Sequence, residues 1–131
     1  MLEITSLYAA LSALILLVLA LRVVQQRWAT RTGIGDGGDK ILARRIRIHA
    51  NAMENIPIVL ILLGLAEMGG AAAWLLHACG AALVIGRLTH AYGMTRTAGS
   101  SWGRATGMLT AWLATLVLSI QLLLSALPHL Q

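Results

Sequence analysis

Acidic residues are scarce in this chain. Five Asp and Glu stand against ten Lys and Arg, and charged residues make up only 11% of its 131 positions. A soluble domain carries about 25%, so an ordinary water-facing surface is excluded. A single cysteine, Cys79, excludes an internal disulfide. No basic neighbour is placed to ionise it, so it reads as a buried, inert thiol. The chain also lacks a basic start: Glu3 is the only charge near Met1, and the apolar run behind it is longer than a signal-peptide core. That run is therefore expected to be a retained span and not a cleaved leader. The basic residues have no aromatic stacking platform among them, which argues against nucleic acid as a partner. No metal site is expected.

What the chain has is apolar sequence in blocks. Hydrophobic residues reach 58%. Residues 4–24 carry no charge until Arg22, residues 56–66 and 71–86 are apolar, and 105–127 carry no charge at all. A membrane-crossing helix needs about 20 mostly apolar residues. The first and fourth blocks meet that alone; the middle two meet it only with their polar ends. The expectation is one all-α membrane domain with spans at about 4–27, 44–68, 71–94 and 105–127.

With four spans, all ten Lys and Arg map to one side, and Glu3 and Glu67 to the other. The positive-inside rule then places the Arg-rich face in the cytoplasm and both termini in the periplasm. Trp28 and Trp102 are expected at the cytoplasmic boundary, Tyr8 and Trp74 at the opposite one, and Trp112 deeper, as a packing residue. The stretch GIGDGGDK, residues 33–40, is rich in glycine. It lacks phosphate-loop spacing and no strand precedes it, so it reads as a flexible turn. Ala82 and Gly86 form a small-xxx-small pair suited to close helix contact.

The chemistry concentrates in RRIRIHANAMENIPI, residues 44–58. On a helix, Arg44, Arg47, Asn51, Glu54 and Asn55 fall on one face, with Arg45 and His49 elsewhere. Arg47, Asn51 and Glu54 are spaced i, i+4, i+7. That column presents guanidinium, amide and carboxylate in turn and would suit a ligand with a carboxylate at one end and an ammonium at the other. The bland alternative is a self-satisfied network, with Glu54 paired to an Arg of a neighbouring helix. Pro57 follows and predicts a bend. In GRLTHAYG, residues 86–93, Arg87 and His90 share a face. In SSWGRATG, Arg104 stands where the fourth span begins, and its charge adds to the positive end of the helix dipole.

RIRIHANAMENIPI resembles the second-helix signature of the MAPEG family, the membrane-associated proteins of eicosanoid and glutathione metabolism. GRLTHAYG is similar to the family's third-helix segment. The resemblance implies a left-handed four-helix bundle assembled as a homotrimer, with glutathione as co-substrate at the cytoplasmic helix ends, between subunits. It implies that Arg47, Asn51 and Glu54 hold the tripeptide, that Arg87 and His90 contact it, and that Arg104 stabilises its thiolate as the catalytic residue. Arg27 resembles an arginine donated by the adjacent subunit. Four residues beyond His90, where eicosanoid-converting members carry tyrosine, stands Met94. That departure argues against the eicosanoid conversions and leaves glutathione conjugation or lipid-peroxide reduction, which need chiefly a bound thiolate and a hydrophobic electrophile reached through the membrane lipids. The alternative is a non-catalytic module binding an anionic lipid or small molecule. A transporter is disfavoured, because four short spans without an inverted repeat do not match that architecture.

Overall fold

The computed structural model describes residues 1–97 and 101–129. Part of the expected second connection, residues 98–100, lies outside them, as does Gln131. Four helices follow in order: α1 (Glu3–Thr30), α2 (Lys40–Met68), α3 (Ala73–Arg96) and α4 (Trp102–Ala126), with a final 3-10 turn at Leu127–His129. No strand occurs among the described residues. The protein is an all-α bundle of the membrane type. α1, α2 and α4 are each long and apolar enough to cross a membrane. α3 carries His77, Arg87 and His90 along its length, and these polar residues keep it out of that group.

Three of the helix ends have a local cause. α1 stops at Arg31, which takes a left-handed φ of 53°. The loop behind it turns through Gly35, Gly37 and Gly38, all at positive φ, a region in which glycine carries no Cβ penalty. Asp39 caps α2, its carboxylate accepting from the Leu42 N–H at 2.5 Å. Ser101 caps α4 in the same way, its hydroxyl accepting from the Arg104 N–H at 3.4 Å. α2 runs unbroken past Pro57.

The packing is not a closed square. α3 pairs most closely with α4, α1 with α2, and α2 and α3 touch every other helix; α1 and α4 do not touch each other. α2 and α3 thus form the centre, with α1 and α4 on opposite flanks. The interior holds Leu42, Ile56, Val59, Leu63, Leu76, Leu83 and Leu118. The outside is also apolar: Leu14, Leu17, Val18, Leu113, Leu116 and Leu123 are all exposed. Lipid, not water, is the solvent that such a surface suits. Trp28, Trp74 and Trp102 are exposed near the helix ends. Trp112 is exposed too, because the small residues Gly107, Ala111 and Ala114 form the packed stripe of α4.

Two polar contacts lock the end of the bundle opposite the arginines. Glu67, near the end of α2, reaches back to the start of α1. Its Oε1 accepts from the Ile4 N–H at 2.9 Å and its Oε2 from the Thr5 N–H at 2.7 Å. A carboxylate there satisfies two orphan amides and meets the positive end of the helix dipole. Tyr8, expected at the lipid boundary, instead points inward. Its ring lies against Gly80, where any Cβ would collide with it, and its Oη is 3.1 Å from both Nδ1 and the carbonyl of His77.

Candidate functional site

The glycines of α3 and α4 set the geometry. A Cβ on Gly107 would stand 2.5 Å from the Gly86 carbonyl oxygen and 2.9 Å from the His90 nitrogen. A Cβ on Gly103 would stand 2.8 Å from the Thr89 carbonyl oxygen, and one on Gly93 2.9 Å from the Arg104 nitrogen. The two backbones therefore approach as only side-chain-free positions allow. The pattern Gly103-xxx-Gly107-xxx-Ala111 announces this face in the sequence. The pair singled out there, Ala82 and Gly86, contributes Gly86.

This close approach encloses Arg87. The side chain is 2% exposed, at a depth where charge is costly. Its Nη1 donates to Asn51 Oδ1 at 2.7 Å, its Nη2 donates to the Gly107 carbonyl, and its Nε has no hydrogen-bond partner. No carboxylate among the described residues pairs with it. Asn51 is held in turn: its Nδ2 donates to the Met108 sulfur at 3.3 Å, a weak acceptor. Asn55 Nδ2 donates to the Asn51 carbonyl at 2.8 Å. His90 is buried beside Gly107.

The α2 column divides between inside and outside. Asn51 turns into the bundle, while Arg47 and Glu54 stay exposed and pair with each other, Nη1 to Oε1 at 3.2 Å. The partner of Glu54 thus comes from its own helix. So exposed a pair contributes only about 0–1 kcal/mol.

Arg104 sits half-buried in the first turn of α4. With Lys40, Arg44, Ala43, Met94 and Thr97 it lines a cavity of about 310 Å³ between the ends of α2, α3 and α4. Arg44 Nη1 also donates to the Thr95 carbonyl at 3.2 Å, which ties α2 to α3. Arg27 lies apart from this group. Its Nη1 donates to the carbonyls of Thr32, Gly33 and Gly35, at 3.3, 3.0 and 3.1 Å, and so braces the first loop of its own chain. Arg45 ties α2 to α1, donating from Nη1 to the Arg22 carbonyl at 2.7 Å. The structure thus gathers Arg47, Asn51, Glu54, Arg87, His90 and Arg104 toward the Arg-rich end of α2, α3 and α4. Met108 was not legible as a partner, because a thioether in an apolar span gives no signal.

Residues 5–124 match the MAPEG family. The inner membrane protein YecN of Escherichia coli strain K12 is 44% identical over 115 residues, covering 88% of this chain and 86% of that protein. The YecN of Escherichia coli O6:H1 matches with the same identity and coverage.

Proposed function

Because this chain belongs to the MAPEG family, we propose that it is a glutathione-dependent transferase or peroxidase. It acts on hydrophobic electrophiles in a bacterial inner membrane. The observation that carries the reading is the weak, exposed Arg47–Glu54 pair standing beside the buried Asn51–Arg87 couple, with Arg104 in the first turn of α4. Glutathione has carboxylates for Arg47 and an ammonium for Glu54. Asn51, its amide oriented by Arg87, offers a donor now spent on a weak sulfur contact. Arg104 and the N-terminal end of α4 favour a negative sulfur over a neutral thiol.

In conjugation the thiol proton passes to solvent. The thiolate sulfur then bonds to the electrophilic carbon, and the leaving group departs with its bonding pair. In peroxide reduction two glutathiones become one disulfide, and the peroxide becomes an alcohol and water. The bilayer supplies either electrophile to the outward apolar faces. The assembly is a homotrimer, in which neighbours shield the exposed Arg47 and Glu54 from lipid, and the Arg-rich face is cytoplasmic. A second reading rests on the cavity lined by Lys40, Arg44 and Arg104: a module that holds a small anion without turnover.

Calorimetry with glutathione, and thiolate absorbance followed against pH, test the proposal. Glu54→Gln removes a charge-assisted contact worth about 1.5–3 kcal/mol, so affinity falls about tenfold or more. Arg104→Ala changes affinity less and raises the pH at which the bound thiol ionises. If the wild type binds no glutathione at millimolar concentration, the enzyme reading fails and the anion module replaces it. If it binds but Arg104→Ala leaves the thiol titration unmoved, Arg104 is not the activating group.

A further inference from the structure

A groove lies between α1 and α3, away from the residues gathered above. It encloses about 670 Å³. Its walls are apolar along most of their length, with Leu14, Val18 and Leu19 on one side and Leu88 and Ala91 on the other. α1 and α3 run in the same direction, each on from Leu14 and Leu88 to an arginine eight residues later. At 1.5 Å per residue the trough is about 12 Å long. It ends between Arg22 and Arg96, with Thr95 beside them. The Arg96 guanidinium lies 5.1 Å from the centre of the Tyr92 ring, which holds it at the mouth. Among the described residues neither arginine is ion-paired. The groove opens sideways, since Leu14, Val18, Leu88 and Tyr92 are more than half exposed.

We propose that this groove is a binding site for a membrane phospholipid of net negative headgroup, with an acyl chain along Leu14–Val18–Leu88 and its phosphate between Arg22 and Arg96. The charge pattern selects this occupant. An apolar trough closed by cations at one end complements an amphiphile with one anionic end, and basic pockets between membrane helices suit anionic headgroups. Guanidinium forks pair bidentately with phosphate oxygens. A zwitterionic lipid would bring its own ammonium against two arginines, so a phosphatidylglycerol-type headgroup fits and a phosphatidylethanolamine-type headgroup does not. The inference is independent of the glutathione reading and stands or falls separately.

Native mass spectrometry of the purified full chain in a neutral detergent, titrated with phosphatidylglycerol, phosphatidylethanolamine or oleate, tests it. The wild type retains phosphatidylglycerol in preference to the other two. Arg22→Gln and Arg96→Gln each weaken that retention about fivefold, and the double variant abolishes the preference. Val18→Trp, at an exposed position, leaves the fold intact and fills the trough, so retention falls with the charges unchanged. The proposal is overturned if the wild type shows no preference for phosphatidylglycerol, or if the double variant keeps it. It is equally overturned if oleate competes as well as phosphatidylglycerol, which would make the occupant a fatty acid. A Val18→Trp variant that dissociates the assembly without changing lipid retention would make the groove a contact between copies, and would also sink the proposal.

Discussion

Replacing Gly107 by alanine tests whether the α3–α4 approach governs this fold. The new Cβ would lie 2.5 Å from the Gly86 carbonyl oxygen and from the His90 Cβ, and 2.9 Å from the His90 nitrogen. Ordinary contact begins near 3.4 Å, so the two helices must separate by about 1 Å at this level. No side chain can give way, because the obstacles are backbone atoms and the first atom of a buried histidine. Overpacking of this kind costs about 1–3 kcal/mol. The separation also stretches the Arg87 Nη2 bond to the Gly107 carbonyl, a bond from a charged donor worth about 1.5–3 kcal/mol. The two overlap, so a loss of at least about 2 kcal/mol is expected. Gly64→Ala in α2 is the matched control, because its Cβ would meet only the Thr5 Cγ2, at 3.7 Å. With room available, the helix-propensity gain of about 0.5–1 kcal/mol remains. The assay is thermal unfolding in detergent followed by circular dichroism. Gly107→Ala should melt several degrees below the wild type, and Gly64→Ala at or above it. A Gly107→Ala protein that melts with the wild type would refute the reasoning.

Two further outcomes follow from the ends of the bundle. Glu67→Ala removes both acceptors from the start of α1 and should lower stability by about 0.5–2 kcal/mol, with hydrogen exchange accelerated at Ile4 and Thr5 first; protection unchanged at those amides would count against the cap. The one-sided placement of Lys and Arg predicts that reporter fusions after Gln131 read periplasmic and insertions near Gly37 cytoplasmic. A cytoplasmic carboxyl end would overturn that orientation.

The four helices were legible from their apolar blocks, but the caps Asp39 and Ser101 were not read, so α2 and α4 begin at Lys40 and Trp102, ahead of the expected residues 44 and 105. Less legible was which side of a polar stripe faces inward. Asn51 and Glu54 are about 60° apart on a helix, and spacing alone assigns them to one face. The edge of the bundle runs between them, with Asn51 turned to Arg87 and Glu54 outward to Arg47. Helical period gives relative angles within α2; it carries no information on where α3 sits. The same limit hid Tyr8. Its position near a span end suggested a lipid anchor, but the space that admits its ring is made by Gly80, 72 residues away in sequence. The close α3–α4 face was written in Gly103, Gly107 and Ala111, a pattern of small residues that becomes informative once the backbone distances are known.

The grip of Glu67 on the first turn of α1 bears on how the chain enters its membrane. During synthesis α1 emerges with its leading amides unanswered. Their acceptor lies 63 residues downstream of Ile4, beyond a full second crossing. The carboxylate can meet those amides only if both ends arrive on the same side of the bilayer. A chain threaded with one hairpin end on the wrong face would leave an uncapped helix start on one side and a lone glutamate on the other. The contact thus acts as a closing latch on the first helical hairpin, one that engages only when both crossings are complete.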